Sequence, residues 1–486
     1  MKLTVFGCGY VGLVSGVCLA SLGHQVACVD VDPERVAGIN QGRVPIHEPG
    51  LEALLRDALA QGRFRATLEA GPALRDSRIA MIAVGTPDRE GRIDLSQVAA
   101  VCRTIGTHLR ARLSAPSAGG GHTVVVKSTV VPGTTLGLVR EALEAASGLT
   151  AGRDFGLAMN PEFLREGFAV ADFLDPDRLV LGTLGALADA ALEELYLPFS
   201  CPKRHVTPTE AEFAKYASNA LLATCISFAN EIYTQCEATP GADGRRVLEL
   251  LHLDRRLSPS HRGEPVRPGI LGYLQGGVGY GGSCLPKDLN AFTAMARDRG
   301  LPAGLLDQVV QVNRRRPAAV VQRLAAELGG LKGKLVTVLG LAFKPGTDDW
   351  RNSPAQPVVD ALLAAGATVR AWDPLVGDAA VAAWCGRVAL YRQPAPALAG
   401  AHAAVLATAW PEIAGWDWAA LAAHMIAPVI LDGRNALGDL AWPAAVRYLP
   451  VGRGPAVAGP LDLLDPPDPL DPVDPPKEAP HVSSQR

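Results

Sequence analysis

The sequence predicts an α/β protein built from two doubly wound parallel sheets joined by a long central helix. Two patterns carry this. At both ends of the chain, β-rich runs alternate with helical patterns, which implies parallel strands with crossover helices. Between them, Pro208 to about Glu237 reads as one helix without internal Gly or Pro, with Thr209 as the expected N-cap. At 1.5 Å per residue it would run roughly 40 Å, enough to bridge domains or form a dimer spine.

In the first unit, Lys2–Gly7, Gln25–Asp30, Ile79–Val84, Thr123–Lys127, Gly156–Met159 and Leu179–Leu181 read as strands. The alternation resumes with Leu335–Leu339, Thr368–Ala371, Ala403–Leu406 and Val429–Leu431. Gly454–Arg486 repeats Asp-Pro and lacks aromatics, so a disordered tail is expected there. A length of 486 residues suggests about three domains, and 48% hydrophobic residues suffice for their cores. A net charge of −3 gives no electrostatic case for nucleic acid or acidic membranes. Nine cysteines without regular spacing suggest reduced thiols in the cytoplasm, and no metal site. No uncharged run is long enough to span a bilayer, so a soluble intracellular protein is expected.

Gly7-Cys8-Gly9-Tyr10-Val11-Gly12 follows the first strand and opens a helix, and Asp30 closes the next strand. This is the dinucleotide fingerprint of a Rossmann-like unit. The glycines serve the turn and the pyrophosphate, the helix start its charge, and Asp30 the ribose hydroxyls. Asp30 would repel a 2′-phosphate, which favours NAD over NADP. Asp32, past the strand end, is the weaker rival. Val84-Gly85-Thr86-Pro87 and Lys127-Ser128-Thr129-Val130 also follow strands, and so border the crevice where such sheets bind ligands.

Three further segments carry chemistry. Asn160-Pro161-Glu162-Phe163-Leu164-Arg165-Glu166-Gly167 supplies carboxylates suited to acid or base work, or simply a solvated acidic loop. Glu212, Lys215 and Asn219 share one helix face. Glu212 with Lys215 could be a surface pair, whereas Lys215 with Asn219 could hold an oxyanion or orient a water. In Gly277-Val-Gly-Tyr-Gly-Gly-Ser-Cys-Leu-Pro-Lys-Asp288, an unshielded Cys284 is a candidate nucleophile with Asp288 one helical turn later. The C-terminal unit begins as strand, loop and helix, where Lys344 and Arg351 offer cations to a phosphate-bearing ligand.

These blocks, in this order, resemble the UDP-glucose/GDP-mannose dehydrogenase family from Met1 to about Asn435. The resemblance implies an NAD-binding domain over 1–203, a central dimerisation domain with the cysteine loop over 204–315, and a UDP-sugar domain over 316–453. The tail would follow over 454–486. It also implies a homodimer that oxidises a nucleotide-sugar C6 alcohol to a carboxylate with two NAD in succession. Cys284 would form a thiohemiacetal and then a thioester, with the thiolate attacking near neutral pH. Lys215 and Asn219 would steady oxyanions, with Asp288, Glu162 and Thr129 arranging water and protons. Lys215 and an Asp288-bound water both stay open as the first base.

By the same resemblance, Glu162, Phe163, Leu164, Arg165 and Glu166 would hold sugar and diphosphate, with Gly281 making room beside Cys284. Tyr273 would lie against the base and Lys344 on the nucleotide side. Thr86, Thr129 and Arg351 would serve the cofactor, and Glu166 either ligand. Family members carry an Arg-Ile-Gly whose arginine reaches the partner's site. Here the Ser258–Pro268 stretch intervenes, which leaves Arg256 first and Arg267 second for that role. Trp350 and Asn352 are smaller departures.

Pro176-Asp177-Arg178 leans towards UDP-glucose, while Cys-Leu-Pro-Lys-Asp is shared with GDP-mannose members. The loop lacks the form of the N-acetylhexosamine members. An epimerase or short-chain dehydrogenase would need Tyr-x-x-x-Lys, which no tyrosine here provides. A non-catalytic NAD-binding regulator would have lost the thiol and oxyanion residues that are present.

Overall fold

A computed structural model describes residues 1–113, 121–261 and 264–456, so the expected tail lies, from 457 on, outside the described residues. The first unit is an eight-stranded sheet. Its strands are β1 (Lys2–Phe6), β2 (Gln25–Val29), β3 (Phe64–Thr67), β4 (Ile79–Ile82), β5 (Thr123–Val126), β6 (Gly156–Met159), β7 (Leu179–Leu184) and β8 (Lys203–Val206). They lie in the order β8-β7-β6-β5-β4-β1-β2-β3. Central strands are apolar on both faces. Leu3, Val5, Ile79 and Met81 pack into one core, and Phe6, Ala80 and Ile82 into another.

The sheet departs from the all-parallel expectation at one step, where β7 runs against β6 with Leu157 opposite Leu184. Antiparallel neighbours are joined at the same end of the sheet. The connecting segment, with its short helix Ala169–Leu174, therefore stays at the carboxyl end of β6. That end borders the ligand crevice of such sheets.

The second unit holds β9 (Leu335–Leu339), β10 (Thr368–Trp372), β11 (Val388–Tyr391), β12 (Ala403–Leu406), β13 (Val429–Asp432) and β14 (Arg447–Pro450). All are parallel, in the order β11-β10-β9-β12-β13-β14. Each sheet thus reverses its winding beside its first strand, and a crevice opens there.

The long helix spans Pro208–Glu237 as expected, but its cap is Thr207 and not Thr209. Thr207 and Glu210 form a reciprocal capping box with Pro208 at the first helical position, where its missing N–H costs nothing. Glu212, Lys215, Asn219 and Tyr233 are buried, while Phe213, Leu221 and Phe228 are exposed. No helix among the described residues is long and apolar enough to cross a membrane.

One buried network ties the end of this helix to the cysteine loop. The Arg316 guanidinium, 1% exposed, donates twice to Glu237 at 2.8 Å and once to the Gly277 carbonyl at 2.7 Å. The Gly277 N–H donates to Asn230 at 2.7 Å, and that of Gly452 to Glu237 at 2.7 Å. Burial works against the Glu237 charge, but Arg316 holds its carboxyl below the usual range. Replacing Arg316 by Met removes both guanidinium bonds to that carboxylate and leaves it to Arg323, 3.5 Å away, and the Gly452 N–H. Urea unfolding should show a loss of about 3–5 kcal/mol at pH 7.

Candidate active site

The fingerprint loop is shaped as a dinucleotide seat. Gly7 has φ +100°, and a Cβ there would meet the Ala83 carbonyl oxygen at 2.7 Å. Gly9 faces open space, leaving its backbone free for a pyrophosphate beside the start of helix Tyr10–Ser21. Asp30 accepts from the Cys8 N–H at 2.7 Å and pairs with Arg35 at 3.1 Å. Burial opposes its charge, but these bonds hold its carboxyl below the usual range. Asp32 instead caps the next helix, accepting from the Glu34 and Arg35 N–H groups. Thr86 donates to the Thr129 carbonyl at 2.9 Å, which joins the loops after β4 and β5.

A cleft of 590 Å³ opens between the two units. Its wall includes Glu162, Phe163, Leu164, Arg165, Glu166, Lys215, Asn219, Tyr273, Gly281, Cys284 and Lys344. These residues come from the loop after β6, the long helix, the cysteine loop and the start of the second unit. Asp288 is buried behind them. Thr129 and Arg351 stand off this wall. Arg351 is held by Asp349 at 2.7 Å. Arg256 is exposed on an ion pair with Asp254, and Arg267 is exposed as well. Neither lines the cleft of its own chain.

Two linked pairs face the thiol. Lys215 Nζ lies 2.9 Å from Glu162 Oε1, whose other oxygen accepts from the Leu164 N–H at 2.6 Å. Asn219 Nδ2 donates to Asp288 Oδ2 at 2.6 Å, and Lys287 holds the other oxygen at 2.5 Å. Glu212 does not pair with Lys215. It accepts from the Gly133 and Thr135 N–H groups at 2.6 and 2.7 Å.

Cys284 caps helix Leu285–Asp298 and opens onto the cleft. Desolvation by the surrounding walls pushes its thiol up to about 11, with Glu162 and Asp288 adding to the rise and Lys215 pulling against it. Burial thus works against the expected thiolate, and Lys215 works for it. Burial would lower the Lys215 pKa, yet Glu162 foremost, then Cys284 and Asp288, raise it on balance. The ammonium stays charged.

Three residues that the sequence reading did not name as site residues belong to this setting, although Arg178 stood in the Pro176-Asp177-Arg178 motif quoted for the sugar. Lys127 lines the cleft, donates to Asn160 Oδ1 at 2.8 Å, and is pushed down to about 8 by burial, with Lys215 adding to the fall. It stood inside a quoted motif, but a lysine after a strand carries no sign of burial. Arg178 stacks 4.2 Å from the centre of the Phe163 ring. Glu48 is buried behind the wall. All nine cysteines are free, and no cluster among the described residues is arranged to hold a metal ion.

Residues 1–200, 209–315 and 337–439 match, in turn, the NAD binding, central and UDP binding domains of the UDP-glucose/GDP-mannose dehydrogenase family. The chain belongs to this family. A UDP-glucose 6-dehydrogenase of Bacillus subtilis is 38% identical over 461 residues, 94% of each chain. A GDP-mannose 6-dehydrogenase of Pseudomonas putida is 39% identical, over 78% of this chain and 82% of that one. The structure of a UDP-glucose dehydrogenase from Pyrobaculum islandicum shares 40% identity and superimposes with a TM-score of 0.82, covering 93% of this chain and 98% of that one. The family's NAD binding and UDP binding domains are the two sheet units that face each other across the cleft.

Glu166 sits at their junction. Burial, and then Asp349, push its carboxyl up to about 7 against the pull of Lys344 and Arg351. One of its oxygens is buried without a partner. A raised carboxyl binds its proton more tightly in the folded state. Its contribution to stability is full below about pH 4.5 and is lost as pH rises through 7. Glu166→Gln removes this titration. Unfolding curves should show the variant roughly 2–3 kcal/mol more stable relative to the parent at pH 8 than at pH 4.

Proposed function

We propose that the protein is an NAD-dependent UDP-glucose 6-dehydrogenase. It would oxidise the C6 alcohol of UDP-glucose to the carboxylate of UDP-glucuronate, by a four-electron route through Cys284. The observation that carries this reading is the convergence of Cys284, the Lys215–Glu162 pair and the Asn219–Asp288 pair on one cleft between two nucleotide-binding sheets. The near-complete relatives named UDP-glucose 6-dehydrogenase support the substrate. A GDP-mannose enzyme is the second reading, favoured by a similar identity over a shorter span.

On this reading residues 1–203 hold NAD, 204–315 carry the cysteine loop and the dimer contact, and 316–453 hold the nucleotide. Gly7, Gly9, Tyr10, Val11 and Gly12 would seat the pyrophosphate of NAD and Asp30 its ribose, with Thr86, Thr129, Glu166 and Arg351 around it. NAD supplies the hydride acceptor, a fresh molecule for each of the two oxidations. Lys215 enters as a charged donor, so it steadies the alkoxide. The alcohol proton then goes to a water on Asp288, whose carboxylate has lone pairs beyond those given to Asn219 and Lys287.

That proton passes on to solvent, and Cys284 Sγ then adds to the aldehyde carbon as the thiol proton moves through the water to the aldehyde oxygen. Lys215 and Asn219 hold the oxygen of the thiohemiacetal. The second oxidation leaves a thioester, and water, oriented by Asp288 with Glu162 and Thr129, releases the acid and restores the thiol. Leu164, Arg165 and Phe163 would grip the sugar and diphosphate, Tyr273 the base, and Lys344 the nucleotide, with Gly281 clearing the space by Cys284.

The exposed Phe213, Leu221 and Phe228 form one stripe on the long helix, 38%, 55% and 46% exposed. Such a stripe suits burial against a second copy, whose Arg256 or Arg267 would then approach the cleft. The free thiols suit a cytoplasmic setting.

Purified protein should yield two NADH per UDP-glucose in an absorbance assay, and little with GDP-mannose. Reduction of NAD with GDP-mannose alone would transfer the reading to that sugar. Cys284→Ser should lower acid formation by at least about a thousandfold, and an unaltered rate would remove the thioester route. Leu221→Glu should turn a dimer into monomers in light scattering at micromolar concentration.

A further inference from the structure

Glu48 is 6% exposed and stands in the Ile46-His47-Glu48-Pro49-Gly50 segment, outside the cleft wall. Its carboxylate nonetheless joins both ligand seats. The hydroxyl of Tyr10, the first residue of the fingerprint helix, donates to Oε2. The Gly167 N–H donates to the same oxygen at 2.7 Å, and the Ala169 N–H donates to Oε1 at 2.7 Å. Gly167 N–H also lies 3.3 Å from the Tyr10 hydroxyl oxygen.

The peptide between Glu166 and Gly167 is therefore gripped from two sides. Its N–H is taken by Glu48 of the first unit, and its carbonyl by Lys344 of the second. Gly167 has φ +78°, a conformation that most side chains resist. Without the carboxylate, two backbone donors would lose their acceptor in a buried place.

We infer that Glu48 is a positioning residue that couples cofactor binding to sugar-nucleotide binding. It fixes the start of the fingerprint helix to the turn that carries Glu166 and meets Lys344. The inference rests on the proposed dehydrogenase reading for the identity of the two ligands. Ligands that each favour the same arrangement of this turn should bind more tightly together than alone.

Calorimetry on the full chain can read the coupling without turnover, because NADH cannot oxidise the sugar. The quantity is the UDP-glucose Kd without NADH divided by that with NADH. We expect a ratio of about 10 in the parent and near 1 in Glu48→Gln, with Tyr10→Phe between them. Glu48→Gln with Tyr10→Phe should be no worse than Glu48→Gln alone. A parent ratio of 1, or an unchanged ratio in a Glu48→Gln protein with the parent's circular dichroism, overturns the inference. If Glu48→Gln does not fold, Tyr10→Phe, which keeps the carboxylate, decides by the same ratio. If UDP-glucose does not bind the parent, that failure belongs to the functional reading. The ratio is then read with GDP-mannose, and the inference stands or falls on it.

Discussion

The Lys215–Glu162 pair is the interaction on which the rest of the site depends. Both side chains are almost fully buried, at 5% and 7% exposure, so each charge is tolerable only because the other is present. Glu162 comes from the loop after β6 and Lys215 from the long helix. The pair thereby fixes the distance between the first sheet and the element that faces Cys284. It also sets the local charge. Burial pushes the Cys284 thiol up and Lys127 down; against it the pair's ammonium pulls the thiol down, and its carboxylate holds Lys127 up. One contact therefore locates the wall and counters what burial does to the charges beside it.

Much of the fold could be read from the chain, and the omissions share a cause. The strands read correctly are interior ones, apolar on both faces. Within the two large sheets the four that escaped notice, β3, β8, β11 and β14, are the two edges of each, and the two-residue ribbons Asp88–Arg89 with Arg92–Ile93 and Ser260–His261 with Glu264–Pro265 escaped as well. Edge strands carry charged and polar residues that keep them from pairing with other chains, as Lys203-Arg204-His205 and Arg447 do here. That camouflage defeats pattern reading. Thr209 looked like the cap because the apolar pattern starts after it, yet a proline at the first helical position moves the cap back to Thr207.

The site was legible where a motif fixes the backbone and obscure where burial decides. The fingerprint glycines, Asp30 and the cysteine loop announce themselves through glycine spacing and strand ends. Lys127 and Glu48 are charged residues in ordinary surroundings along the chain. Only the packing makes one a buried ammonium and the other a bridge between two seats. Glu212 erred in the opposite direction. It shares a helix face with Lys215, but the chain from Gly133 to Thr135 comes near enough to claim its carboxylate.

The reversed step between β6 and β7 has a mechanical consequence. The segment between these strands leaves the sheet and returns to it at the same rim, like a handle riveted at both ends to one bar. Side chains on such a handle are anchored to the bar, and through the Glu166 carbonyl the handle also touches Lys344 of the second unit. Residues can be added to or removed from the handle without shifting the register of any strand, because both rivets stay in place. The segment that lines the cleft can therefore be remodelled independently of the sheet that carries it.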